Sequence, residues 1–404
     1  MLVLSRAPSR APRPQRRRAV SVGSLLRVVL EHGPLPRSTM ARLTGLSPAS
    51  VTGHTAELLA LGLLTELPEA TATNGMGRPF IPVDLDTSVG LVGGIHYAIP
   101  HATVAVLDIR GRVLAERRVP HGDAGPERIT ERSAETLAQL LAERPHGDRL
   151  LGIGIATGGW VDRDHGTIVE HPMLGWRQVP AGAVFARRFG VPALVDSHSR
   201  ALVRAEQLFG HPRSRESVLA VFIGNVVDAA FALGEQVHHG PRFQAGSIAH
   251  MPVAGSTEPC ACGRTGCLEA TVSERRLVER AHRAGLIAEP SIFELVDVAA
   301  AGDPAARALF HRRAEVVGRA IAPIADMLNP DLILLVEPGL ARLPDALAAL
   351  RAEVARHSAT VTDPGRTVLM SSFMHAPLAM AGGAVMLDAL YTDPFTVPAL
   401  EKAP

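Results

Sequence analysis

HMPVAGSTEPCACGRTGCLEA, residues 250–270, contains every cysteine of the chain: Cys260, Cys262 and Cys267. His250 lies ten residues before the first of these thiols. One imidazole and three thiolates supply the four ligands of a tetrahedral zinc ion, and a site filled by four protein ligands leaves no position for a reactive water. The stretch therefore predicts a structural Zn²⁺ site formed by His250, Cys260, Cys262 and Cys267.

Two glycines, Gly263 and Gly266, separate the second and third cysteines. Glycine readily adopts the backbone conformations of tight turns, so the loop can bring all three thiols to one ion. Two alternatives remain open from the residues alone. A catalytic zinc would keep an open coordination position, and buried or redox-active thiols would need no metal.

The segments GSIAHMPV (246–253) and CACGRTGCLEA (260–270) resemble the signature of the ROK family, which groups sugar kinases with sugar-responsive repressors. The resemblance covers residues from about 88 to 395. It implies an actin-like, two-lobed ATPase fold with a ligand-binding cleft between the lobes. Residues 21–85 add an N-terminal head, so we expect an α/β chain in which a winged helix-turn-helix precedes the ROK fold.

Residues 21–85 have the pattern of a winged helix-turn-helix. SLLRVVLEH, starting at Ser24, is apolar along a broad helical face, and a short helix from about Ser38 to Thr44 ends at Gly45. A further helix begins behind Ser47, a good N-cap residue, with Pro48 at its first position. A turn between two such helices is typical of proteins whose second helix enters the major groove. A helical hairpin that binds protein is the alternative.

The apolar residues of this head predict one small core shared by its three helices. They are Met40, Leu43, Leu46, Val51, Leu58, Leu59, Leu61 and Leu63. We expect the small and polar residues at the start of the third helix to face outward, Thr55 among them. The predicted DNA contacts are Arg42, Ser47, Ala49, Ser50, Thr52, His54 and, in the wing, Arg78. This head matches the repressor branch of the family, which includes xylose and N-acetylglucosamine repressors.

The wing is predicted in LLTELPEATATNGMGRPFIPVDL, which reads as strand, loop and strand. The bend falls at Gly75, Gly77, Arg78 and Pro79. The preceding tail, residues 1–20, contains six of the ten arginines found in residues 1–86. Its Pro/Ala/Arg composition predicts disorder, and its charge suits a phosphate backbone, although a merely solvated arm is also compatible.

Residues 86–398 alternate strands and helices, which predicts an α/β domain with largely parallel sheets. TVAVLDIRGRVLAERRVP (103–120) predicts a hairpin around Arg110 and Gly111, and LLGIGIAT (150–157) a buried strand. VLAVFIG (218–224) and DLILLVEP (331–338) predict further strands, with a long helix over 308–329. We expect two similar lobes.

The phosphate-binding loops that a sugar kinase of this family needs are altered. His96 falls on the aspartate of the first loop, and Ala98, Ile99 and Pro100 replace its glycines. Side chains and a proline in that turn prevent backbone amides from surrounding a phosphate. The second loop reads Gly224-Asn-Val-Val-Asp228, with a carboxylate that would repel phosphate.

The remaining kinase motifs are altered as well. A nucleotide-side Gly-Gly-Gly is replaced by Glu337-Pro-Gly339, and the resemblance places His198 on the position of the catalytic base. A histidine can accept a proton, but without phosphate loops there is no group to transfer. The sequence predicts a protein that is not an enzyme.

The sugar contacts implied by the resemblance are also reduced. Met173 stands where the family has an asparagine, and Ser247 replaces a glutamate that contacts sugar hydroxyls. Losing such acceptors removes the hydrogen bonds that discriminate a sugar. The predicted effector-binding residues are Trp176, His198, Ser247, His250 and Glu269. A free hexose is a doubtful effector, and His198, Asp196 and His171 are either a different polar pocket or ordinary cleft residues.

These observations favour a DNA-binding transcriptional regulator, a repressor in our interpretation. Its expected partners are a double-stranded DNA operator, a sugar or sugar-derivative effector and further copies of itself in a homodimer or homotetramer. A ligand-independent regulator and a sugar kinase with a DNA-binding head are the alternatives. The start of the chain lacks the pattern of a secretory signal, and no apolar run reaches the roughly 18 to 20 residues that span a bilayer. We therefore expect a cytoplasmic protein without membrane contact.

Overall fold

The chain begins with three helices, α1 (Arg13–His32), α2 (Arg37–Thr44) and α3 (Pro48–Ala60). The structure is a computed structural model and describes residues 13–68, 81–398 and 400. Ser47 caps α3, because its side chain accepts a hydrogen bond of 3.2 Å from the backbone N–H of Ser50, and Pro48 is the first helical residue. Gly45 ends α2 with a φ of 71°. The predicted helix boundaries at this turn are confirmed.

A two-stranded antiparallel sheet follows, formed by β1 (Leu64–Glu66) and β2 (Val83–Leu85). Leu35, in the segment between α1 and α2, adds an antiparallel bridge to Val83. The two strands of the predicted wing are thereby confirmed. The predicted bend, with Gly75, Gly77, Arg78 and Pro79, lies outside the described residues.

Three expectations for the head are corrected. Helix α1 starts at Arg13, so residues 13–20 of the predicted disordered tail are helical. Thr55 is fully buried rather than facing outward, since it lies on the same helical face as Val51 and Leu58. Leu43, expected in the core, is 40% exposed.

The first lobe contains a five-stranded sheet in the order β10-β6-β3-β4-β5. Its strands are β3 (Leu91–Tyr97), β4 (His101–Leu107), β5 (Val113–Pro120), β6 (Leu150–Thr157) and β10 (Ala193–Ser197). A three-stranded sheet of β7 (Trp160–Asp162), β8 (Thr167–His171) and β9 (Trp176–Val179) adjoins it. The helices of this part are α4 (Pro126–Ala142), α5 (Ala181–Phe189) and α6 (His198–Phe209).

The second lobe repeats this arrangement in a sheet of order β13-β12-β11-β14-β15. Its strands are β11 (Ser217–Ile223), β12 (Val227–Leu233), β13 (Gln236–Val237), β14 (Leu332–Val336) and β15 (Val368–Met370). The accompanying helices are α7 (Leu268–Val272), α8 (Glu274–Arg283), α9 (Ile292–Ala300), α10 (Pro304–Leu328), α11 (Pro338–Arg342), α12 (Pro344–His357) and α13 (Pro364–Thr367). Short 3₁₀ helices occupy Pro212–Arg215, Pro241–Phe243 and Pro394–Thr396.

Both large sheets are mixed, which corrects the expectation of largely parallel sheets. In each, three strands form an antiparallel meander and two further strands add in parallel. The buried strands read as continuous apolar runs in either case, so hydrophobicity alone did not separate the two patterns. The two similar lobes expected from the sequence are present.

The last helix, α14 (Pro377–Thr392), returns to the first lobe and packs across β3 and β6. Glycines on both sides permit this close approach. A Cβ on Gly154 would lie 2.1 Å from the carbonyl oxygen of Gly382, and one on Gly94 would lie 2.7 Å from the backbone nitrogen of Gly383. Side chains at these positions would push the helix off the sheet.

The head packs directly on this C-terminal helix. A Cβ on Gly23, in α1, would lie 2.6 Å from the carbonyl oxygen of Tyr391 in α14. The buried apolar residues of the head, such as Leu26 and Met40, are continuous with those of the first lobe, including Leu387. The head core is therefore not confined to its own helices, contrary to our expectation.

Candidate functional site

The four predicted metal ligands converge. The Sγ of Cys260 lies 3.6 Å from Nδ1 of His250, and the Sγ atoms of Cys262 and Cys267 are 3.7 Å apart. The ligand atoms of all four residues lie within 4.8 Å of one another. Ligands about 2.3 Å from a tetrahedral zinc ion stand about 3.8 Å from each other, which matches this spacing. The cluster could bind a metal such as zinc.

The backbone of the loop supports this arrangement. The N–H of Gly263 donates to the carbonyl of Cys260 at 3.0 Å, and the N–H of Cys260 donates to the carbonyl of Arg264 at 2.8 Å. Gly263 and Gly266 have φ angles of 84° and 71°, so the predicted need for glycine at the turn is confirmed. The Arg264 guanidinium donates to the sulfur of Cys262 and lowers the pKa of that thiol to about 6, which favours the thiolate form that binds metal.

The metal loop is tied to the cleft between the lobes through Glu269. Its backbone N–H donates to the carbonyl of Ala249 at 2.9 Å, and its carboxylate accepts a hydrogen bond of 3.0 Å from the backbone N–H of Val227. Val227 begins β12 and directly follows residues 222–226, which line the cleft on the side of the second lobe. Burial raises the pKa of Glu269.

A row of three hydrogen-bonded side chains crosses the cleft. Asp228 of β12 accepts a hydrogen bond of 3.0 Å from Nε2 of His198, the first residue of α6. Nδ1 of His198 is 3.2 Å from Nε2 of His96 in β3, and the two rings are stacked. The hydroxyl of Ser199 donates to the same Asp228 oxygen. Burial lowers the pKa of His96 well below its ordinary value, so this ring is neutral.

Beside this row lies a cavity of about 220 Å³ between the two lobes. The first lobe contributes the β3–β4 turn, where Ala98, Ile99 and Pro100 line the wall. The second lobe contributes residues 222–226 and the start of α9, including Phe293. The start of α14 closes a further side.

Two further contacts join the lobes at this cavity. The side-chain amide of Asn225 donates to the carbonyl of Ile99 at 3.3 Å. The guanidinium of Arg118, in β5, lies 5.7 Å from the ring centroid of Phe293, in α9. Both contacts span the gap between the lobes beside the cavity.

The structure distributes the predicted effector residues over several places. His198 lines the cavity, as do His171 and Met173. Trp176 is 2% exposed and packs against Tyr97 and His121 in the first lobe. Ser247 is exposed, while His250 and Glu269 belong to the metal loop described above. Asp196 is not among the residues that line the cavity, and its carboxylate forms ion pairs with Arg200 and Arg163. The effector role of these residues stays a prediction.

The altered phosphate loops have other structural roles here. Residues 98–100 form the tight connection between β3 and β4, and Asp228 binds His198 and Ser199. Glu337 caps α11 and forms a buried ion pair with Arg313. Asp228 and Glu337 thus both make contacts within the protein.

The exposed face of α3 consists of small residues. Ala49, Thr52, Gly53 and Ala56 are exposed, and nothing lies within 4 Å of a Cβ placed on Gly53. The hydroxyls of Ser47 and Ser50 bind each other at 2.9 Å, and Nδ1 of His54 is 3.1 Å from a carboxylate oxygen of Glu57. The backbone of this helix can therefore approach a flat or grooved partner closely.

Arginines of the head divide into paired and unpaired ones. Arg18 donates to Glu57 at 2.9 Å and lies 4.1 Å from the ring centroid of Phe395, so this residue of the basic segment is bound within the chain. Arg37 pairs with Glu66 at 2.7 Å. Arg42, by contrast, is exposed and has no ion pair within the described ranges.

A sequence profile described as the ROK family matches residues 92–387, which is most of the chain. The chain belongs to the ROK family. Within it, the chain is a transcriptional regulator. It is 33% identical over 390 residues to a transcriptional regulator of Mycobacterium tuberculosis H37Rv, covering 93% of this chain and 86% of the relative.

Two repressors of the family are similar over nearly their whole length. The DNA-binding transcriptional repressor Mlc of Escherichia coli K12 is 25% identical over 391 residues, with 94% of this chain and 96% of Mlc covered. The xylose repressor of Bacillus subtilis is 20% identical over 365 residues, with 90% and 94% covered. The resemblance to the repressor branch is confirmed.

Solved structures confirm the ROK fold. A ROK family transcriptional regulator homologous to Escherichia coli Mlc superposes with a TM-score of 0.79 at 22% identity, covering 96% of this chain and all of the other. A ROK family glucokinase from Streptomyces griseus, crystallised with glucose and AMPPNP, superposes with a TM-score of 0.63 at 23% identity. That kinase covers 74% of this chain and 99% of its own length.

Several residues of the cleft were not predicted from the sequence, among them His101, Thr103, Arg118 and Phe293. They lie on β4, β5 and α9. His101 and Thr103 directly follow the altered first phosphate loop, whereas Arg118 and Phe293 belong to no motif that the sequence offered. The predicted hairpin began at Thr103, whereas β4 begins at His101, so the sequence did not indicate that the two side chains share a face.

Proposed function

We propose that this ROK regulator is a repressor that binds a double-stranded DNA operator through its head and has no kinase activity. The head is assigned to residues 21–85 and the ROK part to residues 86–398. The observation that carries the DNA-binding proposal is the helix-turn-helix of α2 and α3, whose second helix presents small side chains to solvent. Such a face fits into the major groove, where the recognition helix must approach the base edges.

Specific contacts are assigned from this geometry. Ala49 and Thr52 are exposed and suited to base edges, with Ser50 and His54 beside them at the same end of the helix. Ser47, at the N-terminus of α3, and the exposed Arg42 are suited to phosphates. Arg78 is proposed for the minor groove on the strength of its position in the sequence alone.

The absence of kinase activity is proposed from the three altered loops. A phosphate held between Ile99-Pro100 and Asp228 would meet apolar side chains and a carboxylate instead of backbone N–H groups. The position that the resemblance assigns to the catalytic base carries His198, which is already hydrogen-bonded to Asp228 and His96. We expect no ATP-dependent phosphorylation of any sugar.

Zn²⁺ is the metal that we assign to His250, Cys260, Cys262 and Cys267. Three thiolates and one imidazole in tetrahedral spacing favour zinc over hard cations such as Mg²⁺ or Ca²⁺. Filled by four protein ligands, the ion would hold the loop in place and leave no open coordination position. Its role is therefore structural.

The cavity between the lobes is the proposed effector site. An occupant that binds one lobe angle more tightly than another would shift the population of that angle, and the head would move with the lobes. In a homodimer, or a homotetramer built from such dimers, two heads would read the two halves of a palindromic operator, so a change of lobe angle would change the spacing of the heads.

Selection of bound fragments from genomic DNA with the full-length protein tests the function. We expect a palindromic consensus, and we expect the affinity for it to fall steeply between 50 and 200 mM salt, because phosphate contacts release counterions, with a loss of about 10³ or more for six or more contacts. Binding without sequence preference and without salt dependence would refute the proposal. Turnover of ATP with a hexose panel would refute the statement on kinase activity.

A further inference from the structure

The walls of the interlobe cavity are largely apolar. Ile99, Pro100, Val226, Phe293, Met374 and Leu378 contribute to it from both lobes and from the start of α14. A hexose carries hydroxyls around its whole ring, and each hydroxyl that loses water needs a new hydrogen-bonding partner. Walls of this kind supply few partners, so the cavity suits a ligand with an apolar body.

Polar side chains reach the cavity from several elements, among them His171, Asn225 and His375. Three further polar residues share one ribbon, the hairpin of β3 and β4. His96 lies directly opposite Thr103 in this hairpin, and His101 is two residues from Thr103 on the same strand face. Nδ1 of His96, Nε2 of His101 and Oγ1 of Thr103 are buried and have no hydrogen-bond partner among the described residues. Buried polar atoms without partners are rare in proteins and call for an explanation.

The hydrogen bonds of the His96 ring determine what it can bind. The Asp228 carboxylate can only accept, so His198 donates to it from Nε2. Burial keeps the His96 ring neutral with a single N–H, and we assign that N–H to Nε2, where it donates to Nδ1 of His198. Nδ1 of His96 then carries a free lone pair. It needs a ligand that donates an O–H or N–H group.

The charges around the cavity nearly balance, which favours an uncharged ligand. Among its lining residues, two carboxylates, Glu116 and Glu274, accompany one arginine, Arg118. Arg118 lies over the ring of Phe293. Burial raises the pKa of Glu274 to about 7, as expected for an acid in apolar surroundings.

We propose that this cavity binds an uncharged aromatic molecule that donates a hydrogen bond to the polar end formed by His96, His101 and Thr103. The inference rests on the proposed function of the cavity as the effector site and names the class of effector. An apolar cavity of about 150 Å³ holds benzene, so a cavity of about 220 Å³ accepts roughly ten non-hydrogen atoms. Hydroxylated or N–H-bearing aromatic rings of this size fit, and free sugars do not.

Calorimetric and fluorescence titration of the full-length protein tests the inference with 2-naphthol, which has one O–H donor. Naphthalene is the matched compound without a hydrogen-bond donor. The sugars tested in parallel are glucose, xylose and N-acetylglucosamine. We expect micromolar binding of 2-naphthol, at least tenfold weaker binding of naphthalene and no binding of the sugars. The anion 2-naphthoate and the cation 1-naphthylmethylamine should each bind more weakly than 2-naphthol.

Variants locate the site. Thr103→Val removes the hydroxyl with little change of shape, and His96→Phe removes the acceptor, so each should reduce the preference for 2-naphthol over naphthalene at least threefold. Val226→Trp should fill the cavity and abolish binding. Met327→Gln, at a position 75% exposed on α10, is the control and should bind like the natural chain. Should His96→Phe fail to fold, Thr103→Val and a crystal structure with 2-naphthol still decide the matter.

Equal binding of 2-naphthol and naphthalene, unchanged binding by Val226→Trp, tighter binding of either charged analogue, or binding of sugars alone would each overturn the inference. These titrations contain no DNA, so their failure leaves the DNA-binding proposal intact. Conversely, a protein that bound 2-naphthol in this cavity and no DNA would refute the proposed function while keeping the site.

Discussion

The guanidinium of Arg27, in α1 of the head, forms an ion pair of 3.1 Å with the carboxylate of Glu235 in the turn between β12 and β13. The same guanidinium lies 4.0 Å from Asp388 of α14. Four residues further along α1, Glu31 pairs with Arg215, just before β11. One helix of the head therefore contacts both the second lobe and the helix that packs on the first.

Glu235→Gln should loosen α1 from the second lobe. The Glu235 side chain is 64% exposed, and an exposed pair contributes at most about 1 kcal/mol, so we expect little loss of global stability. Amide hydrogen exchange of α1 should nevertheless rise, measured by mass spectrometry. Glu143→Gln, which removes the exposed partner of Arg117 in the first lobe, is the control. Unchanged exchange in α1 would contradict a role of this pair in holding the head.

Ala49→Glu should abolish operator binding without loss of stability. The position is exposed at the start of α3, so the new carboxylate is tolerated in the free protein and repelled by DNA phosphates. A negative charge near a helix N-terminus is mildly stabilising, so the melting temperature should stay the same or rise. Ala49→Gln is the matched neutral variant and should keep most of the affinity. Operator binding by Ala49→Glu at unchanged affinity would exclude this face of α3 from the interface.

Short sequence patterns predicted two parts of this protein, the boundaries of the helix-turn-helix and the ligands of the metal site. Ser47, Pro48 and Gly45 fixed the helix-turn-helix boundaries, and the cysteine spacing identified the four ligands that converge. Contacts between distant segments were not predictable in this way. The approach of Gly23 to Tyr391 depends on how α14 crosses the first sheet, which no sequence period encodes.

The side-chain contacts in the cleft were not predictable for the same reason. The resemblance placed His96 and His198 on functional positions but gave no indication that they bind each other, because they are 102 residues apart and only the fold brings them together. The contact of His198 with Asp228 was equally hidden, since Asp228 comes from the other lobe. The mixed sheets were missed because a strand buried on both faces is apolar throughout, whether its neighbours run parallel or antiparallel.

Cys260→Ser should remove the metal and destabilise the second lobe. The loop of residues 250–270 has little regular structure of its own, so losing one ligand removes most of the energy that orders it. We expect zinc content to fall from one ion per chain to near zero by plasma mass spectrometry, with a lower melting temperature. Thr257→Ala, an exposed position of the same loop, is the control. Full zinc content together with normal melting would refute the assignment.

Glu337→Gln should destabilise the protein more than any surface change. Glu337 and Arg313 are 1% and 6% exposed, and removing one partner of a buried ion pair leaves the other charge uncompensated, at a cost of about 3 to 5 kcal/mol. Replacing both residues by Gln and Met should recover much of this loss. Urea unfolding followed by circular dichroism measures the difference. A double variant less stable than Glu337→Gln would contradict this account.

Acidification should destabilise the protein through buried histidines, and His171 makes this testable. His171 is 1% exposed, and burial lowers its pKa from 6.5 to about 4. Between pH 6.5 and pH 4 this histidine binds a proton in the unfolded chain but not in the folded chain. Its contribution to the free energy of unfolding is therefore complete above pH 6.5 and is lost as the pH falls towards 4. By linkage, His171 alone accounts for about 2 kcal/mol of the free energy of unfolding between pH 7 and pH 5, or about 2 to 4 °C in melting temperature.

His171→Asn keeps an acceptor for the N–H of Leu174 and should reduce the pH dependence of the melting temperature by this amount. His165→Asn is the control. The exposed His165 ring pairs with Asp162, which raises the pKa of His165, so the loss of this ring should not reduce the destabilisation seen at acidic pH. If the melting temperature of His171→Asn fell with decreasing pH as steeply as that of the natural chain, the His171 ring would not be kept neutral by burial.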